Sequence, residues 1–339
     1  MRKNNIMKFL LIVITLILAI TGCGQKSTQT SGKPIELKMN VTTSESSVWM
    51  VAAEEFKRIV EEETEGRYKI SIYPNEQLSS GDLQKGVEML FTGITDLDIH
   101  SVINMTGFEP KLTICSMPFL FPNGYDDVDK YIMSGTGKEM IFNLIRDKGA
   151  EPLGIGENGF RQITNNKRPI RTPEDLQGLK LRTPPIAMFI DLFKLMGADP
   201  TSMSFSEVFT ALQQGTIDGQ ENPLDTIRSG QIHEVQKYMT IWNYSYDPII
   251  ISCSNKVWES LSDEDKAIFK KAGELAGELQ VKAAREKEYE ILEELKEEME
   301  IIELTPEEIR KFKDLVGPIY EQYRDIITDD VFKAFGYEF

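Results

Sequence analysis

Gly178-Leu-Lys-Leu-Arg-Thr-Pro184 decides the reading of this chain: a short apolar strand that ends on one cation, Arg182, and stops at Pro184-Pro185. Strand ends in α/β sheets open into ligand crevices, and a planar guanidinium fork matches the two oxygens of a carboxylate. Upstream stands Gly159-Phe-Arg-Gln-Ile-Thr164, and downstream Asp218-Gly-Gln-Glu-Asn-Pro223. Either Arg161 or Arg182 alone would read as half of a surface ion pair. Together at strand ends, with Asn222 in the Gly-Gln-Glu-Asn-Pro turn, they point to a small organic anion held in a cleft. Asn both donates and accepts, which suits a hydroxyl or a carboxylate oxygen. Phe205 and Trp242 are candidates for apolar walls, and equally for core packing.

The charge balance sharpens this reading. With 38 Lys and Arg against 54 Asp and Glu, the formal net charge is −16. Nucleic acid and anionic lipid surfaces are thereby excluded as electrostatic partners, and an arginine aimed into a pocket works against the global field. Residues 1–8 carry Arg2, Lys3 and Lys8, and residues 9–20 are apolar except for Thr15. That length fits a signal-peptide core rather than a membrane span. Ile20-Thr-Gly-Cys23 follows directly and resembles a bacterial lipoprotein box, so cleavage after Gly22 would leave Cys23 as the lipidated first residue. Two acyl chains suffice for stable anchoring at the outer face of the cytoplasmic membrane. Residues 1–22 hold three cations and no anion, so their loss takes the net charge to −19. Residues 23–34, rich in Ser, Thr, Gln and Gly, read as a flexible tether.

The remaining part of about 305 residues exceeds one ordinary core, so two lobes are expected. Ile35, Leu37, Met39 and Val41 alternate as a strand, and Tyr68, Ile70 and Ile72 as another. Between them Trp49, Ala52, Ala53, Phe56, Ile59 and Val60 fall on one helical face behind a cap at Ser46 or Ser47, giving a right-handed βαβ unit. Residues 82–91 read as a helix, 96–99 as a short strand, 126–148 as helix broken near Gly135, and 150–155 as a strand. Thr172-Pro-Glu-Asp starts a helix, with Thr at the cap and Pro at the first helical position. Helices follow over 186–196 and 207–214, then an apolar strand near 249–252 that runs back into the first lobe. Ser262-Asp-Glu-Asp caps a helix to about Glu298, with Ile268, Ala272, Leu275, Leu279, Ala283 and Ala284 down one side. Its glutamates read as a solvated face. Thr305-Pro-Glu-Glu caps a last helical section.

Catalytic patterns find little support. Gly135-Thr-Gly-Lys138 lacks the upstream glycine of a phosphate loop, and Glu139 stands where Ser or Thr is needed. His100 and His233 are the only imidazoles, Cys115 and Cys253 read as buried thiols, and no Cys-x-x-Cys occurs. Neither a metal nor a cofactor is expected. Asp96 and Asp98 read as the end of a loop rather than as an acid pair.

From Gly159 to Gln236 the ordered pieces resemble the solute receptors of tripartite ATP-independent periplasmic (TRAP) transporters. They include Gly-Phe-Arg-Gln-Ile-Thr, Pro173-Glu-Asp-Leu, Gly178-Leu-Lys-Leu-Arg, Gly197-Ala-Asp-Pro, Phe205-Ser-Glu-Val, Ala211-Leu-Gln-Gln-Gly and Asp218-Gly-Gln-Glu-Asn-Pro. The resemblance implies an α/β, two-lobed periplasmic-binding-protein-like fold with a long helix spanning both lobes. Residues 35–157 with 248–287 would form lobe I, and 158–247 with 288–339 lobe II. It implies that Arg182 clamps the ligand carboxylate, that Arg161 adds a second cation, and that Asn222, Phe205 and Asn40 line the pocket. Where acidic-sugar members carry a glutamate after the third strand, this chain offers Ser101, and Glu157 and Asn158 are the candidates to bind hydroxyls in its place. The implied protein is a monomeric receptor, not an enzyme, that passes an organic acid to integral-membrane TRAP permease subunits. A uronate-like sugar acid is favoured, and a C4-dicarboxylate stands next. Two rival readings remain: a secreted α/β enzyme acting on a sugar acid, which turnover would reveal, and a receptor for an ATP-driven importer, which neighbouring reading frames would reveal.

Overall fold

The computed structural model describes residues 33–339; the expected signal segment, the expected lipoprotein box at Cys23 and most of the expected tether lie outside the described residues. β1 (Ile35–Val41) and β2 (Tyr68–Tyr73) pair in parallel, Ile35 opposite Tyr68, across the helix Trp49–Glu63. The helix buries the six apolar residues that its periodicity singles out. β3 (Leu97–Ser101) lies parallel to β1 on the other side. The expected βαβ unit therefore forms the edge of the first lobe.

The two lobes share strands. β4 (Ala150–Asn165) is buried along all sixteen residues. Its first part pairs antiparallel with β9 (Tyr246–Ser254), which itself pairs with β3. Its last residues, from Arg161 onward, pair instead with β7 (Gly219–Pro223) and β8 (Tyr238–Ile241). β5 (Lys180–Thr183) and β6 (Asp199–Ser202) extend that second sheet beyond β7, and β10 (Glu300–Glu303) pairs with β8. A register shift between Glu157 and Gly159 marks the passage from one sheet to the other. Gly159 adopts φ +109° there, backbone that a side chain would strain.

The helix Asp263–Glu298 spans both lobes. Ser262 caps it by accepting from the Asp265 N–H at 3.1 Å. Near its start Phe269 packs edge-on to Phe56 and Tyr68 of the first lobe, and near its end Ile291 and Leu295 join the second-lobe core of Val208, Leu212 and Ile227. The packed face differs from the expected one. Leu275 and Leu279 are about 40 % exposed, while Gly273, Gly277 and Gln280 face β4 and Ala272 and Ala276 join the first-lobe core. The reason is distance. A Cβ on Gly154 would stand 2.0 Å from the Gly273 carbonyl oxygen, and one on Gly277 2.3 Å from that of Ile155. Helix and strand meet backbone to backbone, which leucine would prevent. Gln280 completes the seam: its Oε1 accepts from the Glu157 N–H at 2.8 Å and its Nε2 donates to the Glu157 carbonyl at 2.7 Å.

The segment after residue 288 does not lie wholly with the second lobe. In the helix Gly317–Ile327, Tyr320 donates its hydroxyl to the Pro118 carbonyl of the first lobe, while Gln322 and Tyr323 reach Asp191 of the second. Cys115 and Cys253 are unpaired and buried. Gly154→Ala is expected to cost about 1–3 kcal/mol of stability through overpacking of the seam, read by urea denaturation. Gly317→Ala, whose Cβ would meet nothing within 4 Å, is the matched control and should be neutral or slightly stabilising.

Candidate functional site

Arg182 sits in β5, an inner strand between β6 and β7, and is 1 % exposed. Its Nε and Nη2 both donate to the Met203 carbonyl, at 3.1 and 2.8 Å. Among the described residues no carboxylate lies within ion-pair distance of it; Phe205 offers only a ring face 5.9 Å away. Burial pulls the guanidinium down to about 9, with Glu221 opposing and the Arg161 cation adding to the depression. A desolvated cation with a neutral partner is electrostatically incomplete, and an incoming anion would complete it.

Arg161 is in the opposite condition. Its Nε and Nη2 hold both Glu221 carboxylate oxygens, at 2.5 and 2.9 Å, and Nη1 donates to Asp247 at 2.8 Å. Nη2 also reaches the Asn222 Oδ1 at 3.1 Å. Burial opposes the charge of Arg161, but Glu221 and Asp247 outweigh it and hold the cation firmly protonated. Two carboxylates already pair with this guanidinium, which ties Glu221, Asp247 and Asn222 together beside the cavity.

Arg161 and Arg182 line one cavity between the lobes, with about 390 Å³ of empty space that is partly open to solvent. The second lobe adds Pro184, Phe205, Asn222 and Thr226, and the first lobe adds Thr42, Thr43, Trp49, Ser101 and Asn104, with Asn158 and Asp247 where β4 and β9 cross. Asn158 is a junction: its Oδ1 accepts from Trp49 Nε1 at 3.1 Å and from Thr226 Oγ1 at 2.9 Å, and its Nδ2 donates to Asp247 at 2.8 Å. Ser101 donates to the other Asp247 oxygen. Arg182, Arg161, Asn222, Phe205 and Asn158 therefore line the same cavity.

Three candidates stand elsewhere. Trp242 packs in the core against Phe193, Tyr244 and Phe312 and lines no part of this cavity. Glu157 turns to the other side of β4, where it accepts from the Tyr246 hydroxyl at 2.8 Å and from Arg285 of the long helix at 3.0 Å. Asn40 lies beneath the cavity wall and donates to Glu76 at 2.5 Å. That same carboxylate accepts from Thr42, which does face the cavity, at 2.9 Å. Glu76 is held in turn by His100, whose other ring nitrogen meets Asp98. Burial opposes charge on His100, but the flanking Asp98 and Glu76 outweigh it and push the imidazole up to about 10. A buried imidazolium thus anchors the residues under Thr42. Thr226, Trp49, Asn104 and Asp247 were missed in the sequence; only Asp247, an acid inside the strand Tyr246–Ser254, carried a visible signal.

The model of the bacterial extracellular solute-binding proteins of family 7 matches residues 39–325. The chain is 31 % identical over 319 residues to the 2,3-diketo-L-gulonate-binding periplasmic protein of Escherichia coli, covering 94 % of each. A TRAP periplasmic solute-binding protein of Ralstonia eutropha, solved with (S)-2-acetolactate, is 33 % identical with a TM-score of 0.85, covering 89 % of this chain and 98 % of that one. One from Shewanella oneidensis, solved with succinate, is 29 % identical with a TM-score of 0.83 and the same coverage. The chain belongs to family 7 of the bacterial extracellular solute-binding proteins, the TRAP receptors, and is a binding protein rather than an enzyme.

The His100 anchor has a pH signature. Its raised pKa means that its stabilisation is fully present below about 6.5 and is lost as pH rises through about 10. Between pH 7 and 9 the native chain should lose stability with a His100 component approaching one proton, about 1.4 kcal/mol per pH unit. His100→Gln should flatten that slope in urea titrations run at several pH values; equal slopes would show that the ring is neutral.

Proposed function

We propose that this TRAP receptor closes its two lobes on the monocarboxylate of a sugar acid or related hydroxy acid, with Arg182 as the clamp. The single observation that carries this reading is the contrast between the arginines: one buried cation in the cavity wall has no ion-pair partner among the described residues, and its neighbour is paired with two carboxylates. The remaining polar wall offers hydroxyls and amides from Thr42, Thr43, Ser101, Asn104, Asn158 and Thr226. These groups suit a polyhydroxylated carbon chain, and a relative named for 2,3-diketo-L-gulonate supports that choice.

A C4-dicarboxylate is the second reading, favoured by the succinate found in a relative. Its far carboxylate would meet no further uncommitted cation among the described lining residues, and it would approach Asp247. Like charge in a low-dielectric site is costly, so the monocarboxylate reading is preferred. Delivery would be to integral-membrane TRAP permease subunits, from a receptor held at the outer face of the cytoplasmic membrane through Cys23.

The ligand bridges both lobes, so it favours the closed form by the contacts that only this form supplies. D-Glucuronate, D-galacturonate, D-gluconate and L-gulonate are expected to raise the melting temperature more than succinate does, since bound ligand stabilises the native state by mass action. For the best of these, Arg182→Ala should raise Kd by about 30-fold or more, the cost of breaking a buried charge pair. Isothermal calorimetry with an unchanged Kd would falsify the clamp. Separately, Cys23→Ser should move the protein from the membrane to the soluble fraction, read by fractionation and immunoblot. Retention with the membrane would remove the lipid anchor.

A further inference from the structure

Outside the cavity, the lobes meet at a second cluster. Asp225, two residues after Pro223 in the helix Leu224–Ser229, is 5 % exposed and belongs to the second lobe. Its carboxylate crosses to the start of the helix Trp49–Glu63 in the first lobe. Oδ2 accepts from the Ser47 hydroxyl at 2.6 Å, and the Val48 N–H points at Oδ1 and Oδ2, 3.2 and 3.3 Å away. Val48 is the cap position of that helix and has no side-chain acceptor of its own, while Ser47 Oγ serves the next N–H, that of Trp49, at 3.2 Å. Around this point Arg228 donates to the Ser46 carbonyl at 3.1 Å and lies 3.8 Å from Asp225, and Ser44 donates to the Ser229 carbonyl at 3.2 Å. A helix of fifteen residues therefore receives the anion at its amino end from the opposite lobe.

We propose that Asp225 is an affinity-setting residue that touches no ligand: by capping the first-lobe helix in trans, it holds the lobes together once they have closed. The inference rests on the two-lobe clamp and deepens it. Closure moves the Asp225 carboxylate from water to two donors and the positive end of a helix dipole, and opening reverses every one of these contacts. Their free energy is therefore part of the closing equilibrium, and ligand affinity scales with the closed population. Trp49 ties the two places together. It begins the capped helix, and its indole N–H donates to Asn158, which also accepts from Thr226 one residue after Asp225.

The test uses the full-length chain, with the sugar acid or succinate that gives the largest thermal shift among D-glucuronate, D-galacturonate, D-gluconate, L-gulonate and succinate. Asp225→Ala should raise Kd about tenfold, the scale of a lost charged cap. The change should appear mainly in the dissociation rate, with the unliganded unfolding midpoint unmoved. Ser47→Ala should weaken binding less, and the double variant should be no worse than Asp225→Ala alone. An unchanged Kd and dissociation rate in Asp225→Ala would overturn the latch while leaving the Arg182 clamp intact. So would a fall in unliganded stability with Kd preserved, the mark of a purely structural residue. If none of the five acids binds the native chain, the sugar-acid reading of the ligand fails, and the latch argued from it falls as well.

Discussion

A positive charge kept out of water without a counter-ion is the constraint around which this molecule is organised. Arg182 has given up its hydration shell for the Met203 carbonyl, which satisfies donors but carries no net charge. Desolvating an ion is expensive, and a structure tolerates it only where the surroundings over-determine the position. Here an inner strand of the second sheet fixes the backbone, and the Phe205 ring covers the guanidinium from one side. Arg161 shows the alternative. It is as deeply buried, yet two carboxylates and a backbone carbonyl meet its donors. The same residue type thus serves in one place as structure and a short distance away as an unanswered demand for an anion.

Much of the fold was legible because it rests on short-range rules. Alternation gave β1 and β2, the apolar stripe gave the helix between them, and cap signals at Ser262 and Thr305 gave the starts of two later helices. Arg182, Asn222 and Phe205 were legible as cavity-lining candidates for a related reason: each lies in a compact motif at a strand or helix end, where side chains reach a cleft. The packed face of the long helix was not legible. Its leucines outrank its glycines in any hydrophobicity pattern, but contact with β4 is limited by backbone approach, and only Gly154, Gly273 and Gly277 permit it.

Residues misplaced from sequence share a different cause. Glu157 and Asn158 are chain neighbours on β4, and alternation sends one to Arg285 and the other into the cavity. Asn40 lies one layer too deep, under Thr42, because Glu76 and His100 claim it. Asp247 and Thr226 meet Asn158 across more than sixty residues of chain, so no local pattern could announce these contacts. Closure of one lobe on another creates neighbours that periodicity cannot anticipate.

The bare-backbone seam divides the long helix into two regimes of mutational freedom. On its inner side Gly273 and Gly277 admit no added atom, since Leu153 and Ile155 already stand at contact. One step around the same turns, Leu275 and Leu279 are about 40 % exposed. Drift along this element should therefore be sharply anisotropic. Charged or bulky replacements accumulate harmlessly outward, while the inward glycines stay fixed by steric exclusion alone, with no chemistry of their own to preserve.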